Sequence, residues 1–281
     1  MSESNLEATP THAGAALTRE ASRARIPLWV CLPLVAIFIV AILARSLAVE
    51  MATYRRTWAT LGTLTLAGSL SLAALAYAKV HWRTTIERIG NRGLALIALV
   101  SAMHFAVSFA SVVLGIALSA ALGPYASFVS GIGDEAIPCA LLATTLVLLP
   151  RRGVLALSAA SVFTLNVLAT GSLGLTASVF IVVSCALQEI VAAIFGLTSG
   201  KAAVPSSTRD ALRFAATVGL ALGLSNSAAL GLQFAVWSVL YRMFLSKTYI
   251  ATVIIVTGFV YGALGGFAGA LFGLRQRRVA A

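Results

Sequence analysis

Long apolar runs separated by short polar stretches fill this chain. The clearest is Gly123 to Gly153, GPYASFVSGIGDEAIPCALLATTLVLLPRRG. It opens on a Gly-Pro turn, stays apolar for a bilayer's width, and stops at Arg151-Arg152. A helix needs about 20 apolar residues to cross a hydrocarbon core. Eight runs satisfy or approach that length: Ile26–Ala44, Trp58–Lys79, Gly93–Leu114, Ala126–Leu149, Val154–Thr170, Leu175–Leu197, Ala211–Leu240 and Ile250–Leu274. Ile116–Gly123 is too short to span and reads as a loop or re-entrant piece. Ala211–Leu240 is longer than one span requires, which predicts a tilt or a break near Gly223 to Asn226.

In hydrocarbon every backbone polar group needs an internal partner, so only helices and closed barrels cross it. The short alternating segments of a barrel are absent here. The pattern predicts an all-α fold, a polytopic membrane helix bundle. Residues 1–25 read as a polar, disordered cytoplasmic tail. Two N-terminal spans follow within residues 26–80, then a basic linker at 81–92, then a six-span core over 93–281. The start is a poor signal peptide, because Glu3 and Glu7 lie in its leading region and the apolar run begins late.

Composition strengthens this picture. The 281 residues are 59% hydrophobic and 10% charged, too little charge to cover a soluble domain of this size. The net charge of +11 would suggest nucleic acid in a soluble protein. Here most of the cations sit in short connections, where they orient helices and meet anionic lipid. With the N-terminus inside, Arg19, Arg23, Arg25, Lys79, Arg83, Arg88, Arg92, Arg151, Arg152, Lys201, Arg209, Arg213, Arg275, Arg277 and Arg278 fall on the cytoplasmic side. Arg45, Arg55, Arg56, Arg242 and Lys247 fall outside. That bias predicts both termini in the cytoplasm, and Arg45–Arg56 is the one loop against it. Cys31, Cys139 and Cys185 are widely separated in apolar runs and show no disulfide or ligand spacing.

Small residues supply packing signals. Helices in lipid associate through close backbone approach. Ala98 and Ala102 lie one turn apart. The last span carries one stripe of Gly258, Gly262 and Gly266 and another of Gly265, Gly269 and Gly273. Gly219 and Gly223 mark the span before it.

Within the spans the only acids are Asp134, Glu135 and Glu189. His104, Asn166, Gln188, Asn226, Gln233 and Trp237 are their polar company. A carboxylate in hydrocarbon costs several kcal/mol, roughly, unless it meets a partner, a cavity or a nearby membrane surface. Asp134 and Glu135 are consecutive, so on a helix they point about 100° apart. Two placements stay open for them: a ligand cavity, or a shallow position near the surface. Several chemistries lose support. Gly196-Leu-Thr-Ser-Gly200-Lys201-Ala202 is one residue short of a phosphate-binding loop and lacks its Ser or Thr after Lys. No His-Glu-x-x-His pair occurs, and no Gly-x-Ser-x-Gly elbow accompanies the one histidine in a span. The chain reads as no enzyme, with no cofactor of its own.

From Gly93 to Arg278 the chain resembles the substrate-binding S components of energy-coupling factor (ECF) transporters, vitamin-uptake ABC systems. The likeness is nearest to the group linked to hydroxymethylpyrimidine, a thiamin precursor. Ala98-x-x-x-Ala102 carries it in the first core helix, and Gly123-Pro124-Tyr125 with Gly131-Ile132 at the entry to the second. Arg151-Arg152-Gly153, Gln188, and the glycine-rich Gly258 to Gly273 ending in basic residues complete it. The resemblance implies a six-helix core of S-component type in a bacterial cytoplasmic membrane. It implies a vitamin-like ligand held near the outer face, with Tyr125, Asp134, Glu135, Asn166, Gln188 and Glu189 as substrate-binding candidates. It also implies docking through Ala98 and Ala102 onto a transmembrane coupling subunit, with two cytoplasmic ATPases using the ATP. Two other readings stay open: a stand-alone transporter that relays protons or cations through its acids, and a structural membrane protein that binds no ligand.

Overall fold

A computed structural model describes the backbone of residues 53–170, 187–198, 207–240 and 245–280, with residues 184 and 205 between them. All of these lie in one unit, Val40–Ala281. The predicted span Ile26–Ala44 and about half of Leu175–Leu197 fall outside the described residues.

The described residues are helical and contain no strand. Helix α1 spans Thr53–Leu122 and is interrupted only at Gly90, whose φ of 70° and ψ of 168° leave the helical region. Glycine alone takes up that conformation without steric penalty. The basic linker at 81–92 is thus itself helical apart from this one residue. The expectation of a loop or re-entrant piece over Ile116–Gly123 is corrected. The helix runs through to Leu122, and the chain turns at Gly123, φ 55°, followed by a 3₁₀ turn at Gly123–Tyr125. Pro124 suits that turn, since it occupies the first positions, where no intrahelical donor is needed.

The second arm contains α2, Ala126–Gly131, a π-helical segment at Ile132–Ala136, and α3, Ile137–Leu148. It lies antiparallel to α1: Gly115 adjoins Ser130, Gly133 adjoins Ser111, and Gly93 adjoins Leu149. Helix α4, Val154–Thr170, starts after the bend at Arg151-Arg152-Gly153. It runs parallel to α1, with the Ser101 hydroxyl donating to the Ser158 carbonyl at 3.1 Å, and Ile89 and Ile97 packed with Val154 and Leu157.

Helix α5, Thr208–Leu240, is continuous, so the predicted break near Gly223 to Asn226 does not occur. The last arm contains α6, Lys247–Val253, a π-helical segment at Ile254–Tyr261, and α7, Gly262–Ala280. Its two glycine stripes meet two different neighbours. Gly258, Gly262 and Gly266 face Ser227, Asn226, Gly223 and Gly219 of α5, and the helices are antiparallel. Gly265 and Gly269 lie on the carbonyl oxygens of Ala136 and Ala140, where an added Cβ would collide with backbone, and these two arms run parallel. The last arm is therefore wedged between the second arm and α5 by side chains it lacks.

These registers give the unit two unlike ends. Arg88, Arg92, Arg151, Arg152, Arg209 and Arg275 belong to one end. Tyr125, Phe128 and Tyr249 gather at the other, where the Tyr249 hydroxyl donates to the Pro124 carbonyl at 3.0 Å. A basic end and an aromatic end are what a membrane protein presents to its two interfaces. Three helical stretches among the described residues are long and apolar enough to cross a membrane: Thr85–Leu148, which includes the Gly123 turn, Thr208–Ala235 and Lys247–Arg277. Helix α4 is a shorter apolar helix. The eight predicted spans are thus represented in part.

Candidate functional site

Asp134 and Glu135 lie on the π-helical segment Ile132–Ala136. A local cause is Pro138, which opens α3 and has no N–H to offer the carbonyl one turn back. A widened turn accommodates that missing bond, and single π turns of this kind recur at functional sites. Gly133 brings the segment against Ser111 of α1. Both acids are partly buried. Along the arm, Glu135 is about 18 Å from Gly123 and about 21 Å from Leu149, at about 1.5 Å per residue. The pair sits close to mid-depth rather than at a surface.

The side chain that meets Glu135 comes from α5. Asn226 is 4% exposed and interacts electrostatically with the Glu135 side chain. It also donates to the Gly258 carbonyl at 3.1 Å, inside the second π-helical segment. Gly262 leaves room for this, since a Cβ there would stand 3.3 Å from the Asn226 amide nitrogen. One buried amide therefore interacts with both π-helical segments. Close by, the Thr257 hydroxyl donates to the Val253 carbonyl at 2.7 Å, and the Tyr261 hydroxyl reaches the Phe128 carbonyl at 3.1 Å. No salt bridge to either acid occurs among the described residues.

The other sequence candidates lie elsewhere. Glu189, in the helical turns at 187–194, accepts from the backbone N–H of Gly153 at 2.6 Å and of Ala156 at 3.4 Å. These N–H groups have no partner within α4, so the carboxylate caps that helix and complements its dipole. Arg152 adds a nearby positive charge. Glu189 belongs to the basic end, roughly 20 Å along the arm from Glu135 at the rise per residue of a helix. The structure does not bring it together with Asp134 and Glu135. Gln188, its neighbour, is buried. Asn166, on α4, donates back to the Val162 carbonyl of its own helix at 3.1 Å. Tyr125 is 69% exposed at the aromatic end and stacks on Phe128. Ala98 and Ala102 are exposed and line a shallow groove of about 320 Å³ with Ser161, Thr164 and Leu165 of α4.

Sequence reasoning noted Asn226 only as polar company and did not place it in the site. The available signal was an amide alone in a long apolar run. Its partner could not be read, because the interaction joins residues 135 and 226 through tertiary packing. No group of three or more His, Cys, Asp or Glu side chains converges among the described residues.

Fold and site define a helical membrane protein with an acid pair and a buried amide at mid-depth. No protein-family model, curated protein or solved structure matches the chain.

Proposed function

We propose that this chain is the membrane-embedded substrate-binding subunit of an ECF-type importer. Its ligand is a vitamin or vitamin precursor, with a thiamin-related aminopyrimidine favoured. The observation that carries this reading is the Asp134–Glu135 pair at mid-depth on a π-helical segment, with Asn226 as its polar neighbour. Carboxylates held there without a cationic side chain suit a ligand that brings amine or cationic donors. The resemblance over Gly93 to Arg278 supplies the transporter class, and the two-ended charge pattern supports a cytoplasmic basic end in a bacterial inner membrane. In this reading Ala98 and Ala102 form the docking face for the coupling subunit. Their exposure along a groove is compatible with a closely approaching helix. Two partner ATPases drive release, and this chain binds no nucleotide.

The test is binding of B vitamins and their precursors to the purified chain, read by thermal shift and calorimetry. Saturable binding in the micromolar range or tighter supports the reading. The absence of binding across the panel, with growth on limiting precursor unchanged by deletion, overturns it.

A second reading has its own observation. Two carboxyls at mid-depth beside irregular helical turns also suit a proton- or cation-coupled secondary transporter. Uptake into liposomes that follows a proton gradient, with no ATPase present, would favour it over the importer subunit.

A further inference from the structure

We propose that the crevice between the start of α5 and the end of α7 binds one anionic phospholipid, its phosphate on Arg275 and Thr208 and an acyl chain along Leu271. This site stands apart from the acids at mid-depth and does not depend on their role. The antiparallel register of the two helices creates it. Gly219 lies against Ala263 and Phe267, and Gly223 against Phe259 and Ala263. Carried to the helix ends, that register sets Thr208 and Ala211 beside Leu274 and Arg275. Those four residues and Leu271 line a cavity of about 270 Å³. Thr208 opens one membrane-length stretch, and Arg275 lies near the close of another, Lys247–Arg277. The cavity is therefore level with the edge of the hydrocarbon, where lipid phosphates lie.

The lining has a polar half and an apolar half. Arg275 and Thr208 come from different helices, are exposed, and have no side-chain hydrogen bond or salt bridge among the described residues. A guanidinium and a hydroxyl both donate to phosphate oxygens. Arg209 and Arg213 add exposed positive charge to the same end of α5. The acid of that turn, Asp210, is already engaged, since its carboxylate accepts from the Ser207 hydroxyl at 2.7 Å. Ala211 and Leu274 are buried and form an apolar floor. From Arg275 an apolar stripe continues along α7 through Leu271, Ala268 and Leu264, at the three- and four-residue steps of one helix face. A free phosphate would use the cation alone, whereas a lipid uses the cation and the apolar track together. Basic pockets between membrane helices hold anionic head groups in this way.

The experiment uses the full purified chain in detergent, titrated with dioleoylphosphatidylglycerol, dioleoylphosphatidylcholine or inorganic phosphate. Binding is read as a thermal shift, and native mass spectrometry counts the lipids retained. A saturable rise in melting temperature is expected with phosphatidylglycerol, at a concentration at least fivefold below that needed for either other probe. Arg275→Gln should weaken phosphatidylglycerol binding at least fivefold and retain one lipid fewer. Leu271→Trp, which fills the apolar track, should weaken it as well. Arg88→Gln removes an exposed arginine of the same end outside the cavity, and it should leave binding within twofold. An equal response to phosphatidylcholine would mean that the head-group charge is not read, and an equal response to inorganic phosphate would mean an anion site without a lipid. Equal weakening by Arg88→Gln and Arg275→Gln would mean diffuse surface charge. Each of these three outcomes overturns the proposal. Should Arg275→Gln not fold, Leu271→Trp decides it: phosphatidylglycerol binding within twofold of wild type in that variant overturns it too.

Discussion

At the residue scale, the three membrane acids divide into two kinds. Glu189 has backbone partners that an ionised carboxylate satisfies well, the N–H groups at the start of α4. Removing its charge should therefore act on stability. Glu189→Gln is expected to cost about 1–3 kcal/mol, the scale of weakening a buried charged hydrogen bond. A thermal melt should show the loss, while the affinity for any ligand found should stay within twofold. Glu135 has the opposite profile, with one amide and no cation among the described residues. Glu135→Gln is expected to lower ligand affinity at least tenfold with little loss of stability, measured by calorimetry beside a melt. Both assignments needed tertiary structure. Sequence alone made all three acids costly and could not say which of them had partners.

At the element scale, helix contacts made without side chains dominate. The glycine stripes of the last arm were legible as patterns, because their spacing is a helical property. Which neighbour each stripe meets was not, since that depends on the order of arms in space. Gly269→Val would drive a side chain into the Ala140 carbonyl. Overpacking of this kind costs about 1–3 kcal/mol, and more where backbone is struck. A clear drop in melting temperature is expected for it, and almost none for Leu264→Ala, which changes an exposed position. The π-helical turns left no sequence signature beyond Pro138 and a β-branched run before Gly258. The segment Ile116–Gly123, expected as a loop or re-entrant piece, is helical to Leu122. The reason is related: a short apolar stretch before Gly-Pro looks alike as loop or as helix end. The importer reading adds a prediction here. Ala98→Leu with Ala102→Leu should fill the groove on α1, abolish ATP-driven uptake and leave ligand binding within twofold.

At the scale of the whole molecule, the packing registers set the relative directions of the arms. α1 and α4 run one way, and the second and last arms run the other. That is the alternation the basic residues predict. The importer reading adds the sides of the membrane, which it takes from charge: Arg152 and Arg275 inside, Tyr125 and Ser246 outside. Single cysteines placed at Arg152 and Ser246 in a variant without native cysteines should show opposite labelling by an impermeant maleimide in intact cells. Labelling of both from the same side would overturn this topology.

The most direct measurement of the central claim is a ligand-induced thermal shift on purified wild type and Glu135→Gln, across amine-bearing vitamins and precursors. A ligand that binds the folded state raises the melting temperature in proportion to its affinity and concentration. The account predicts a concentration-dependent rise for at least one compound in the wild type and its loss in the variant. No rise with any compound, or an equal rise in both proteins, would contradict it.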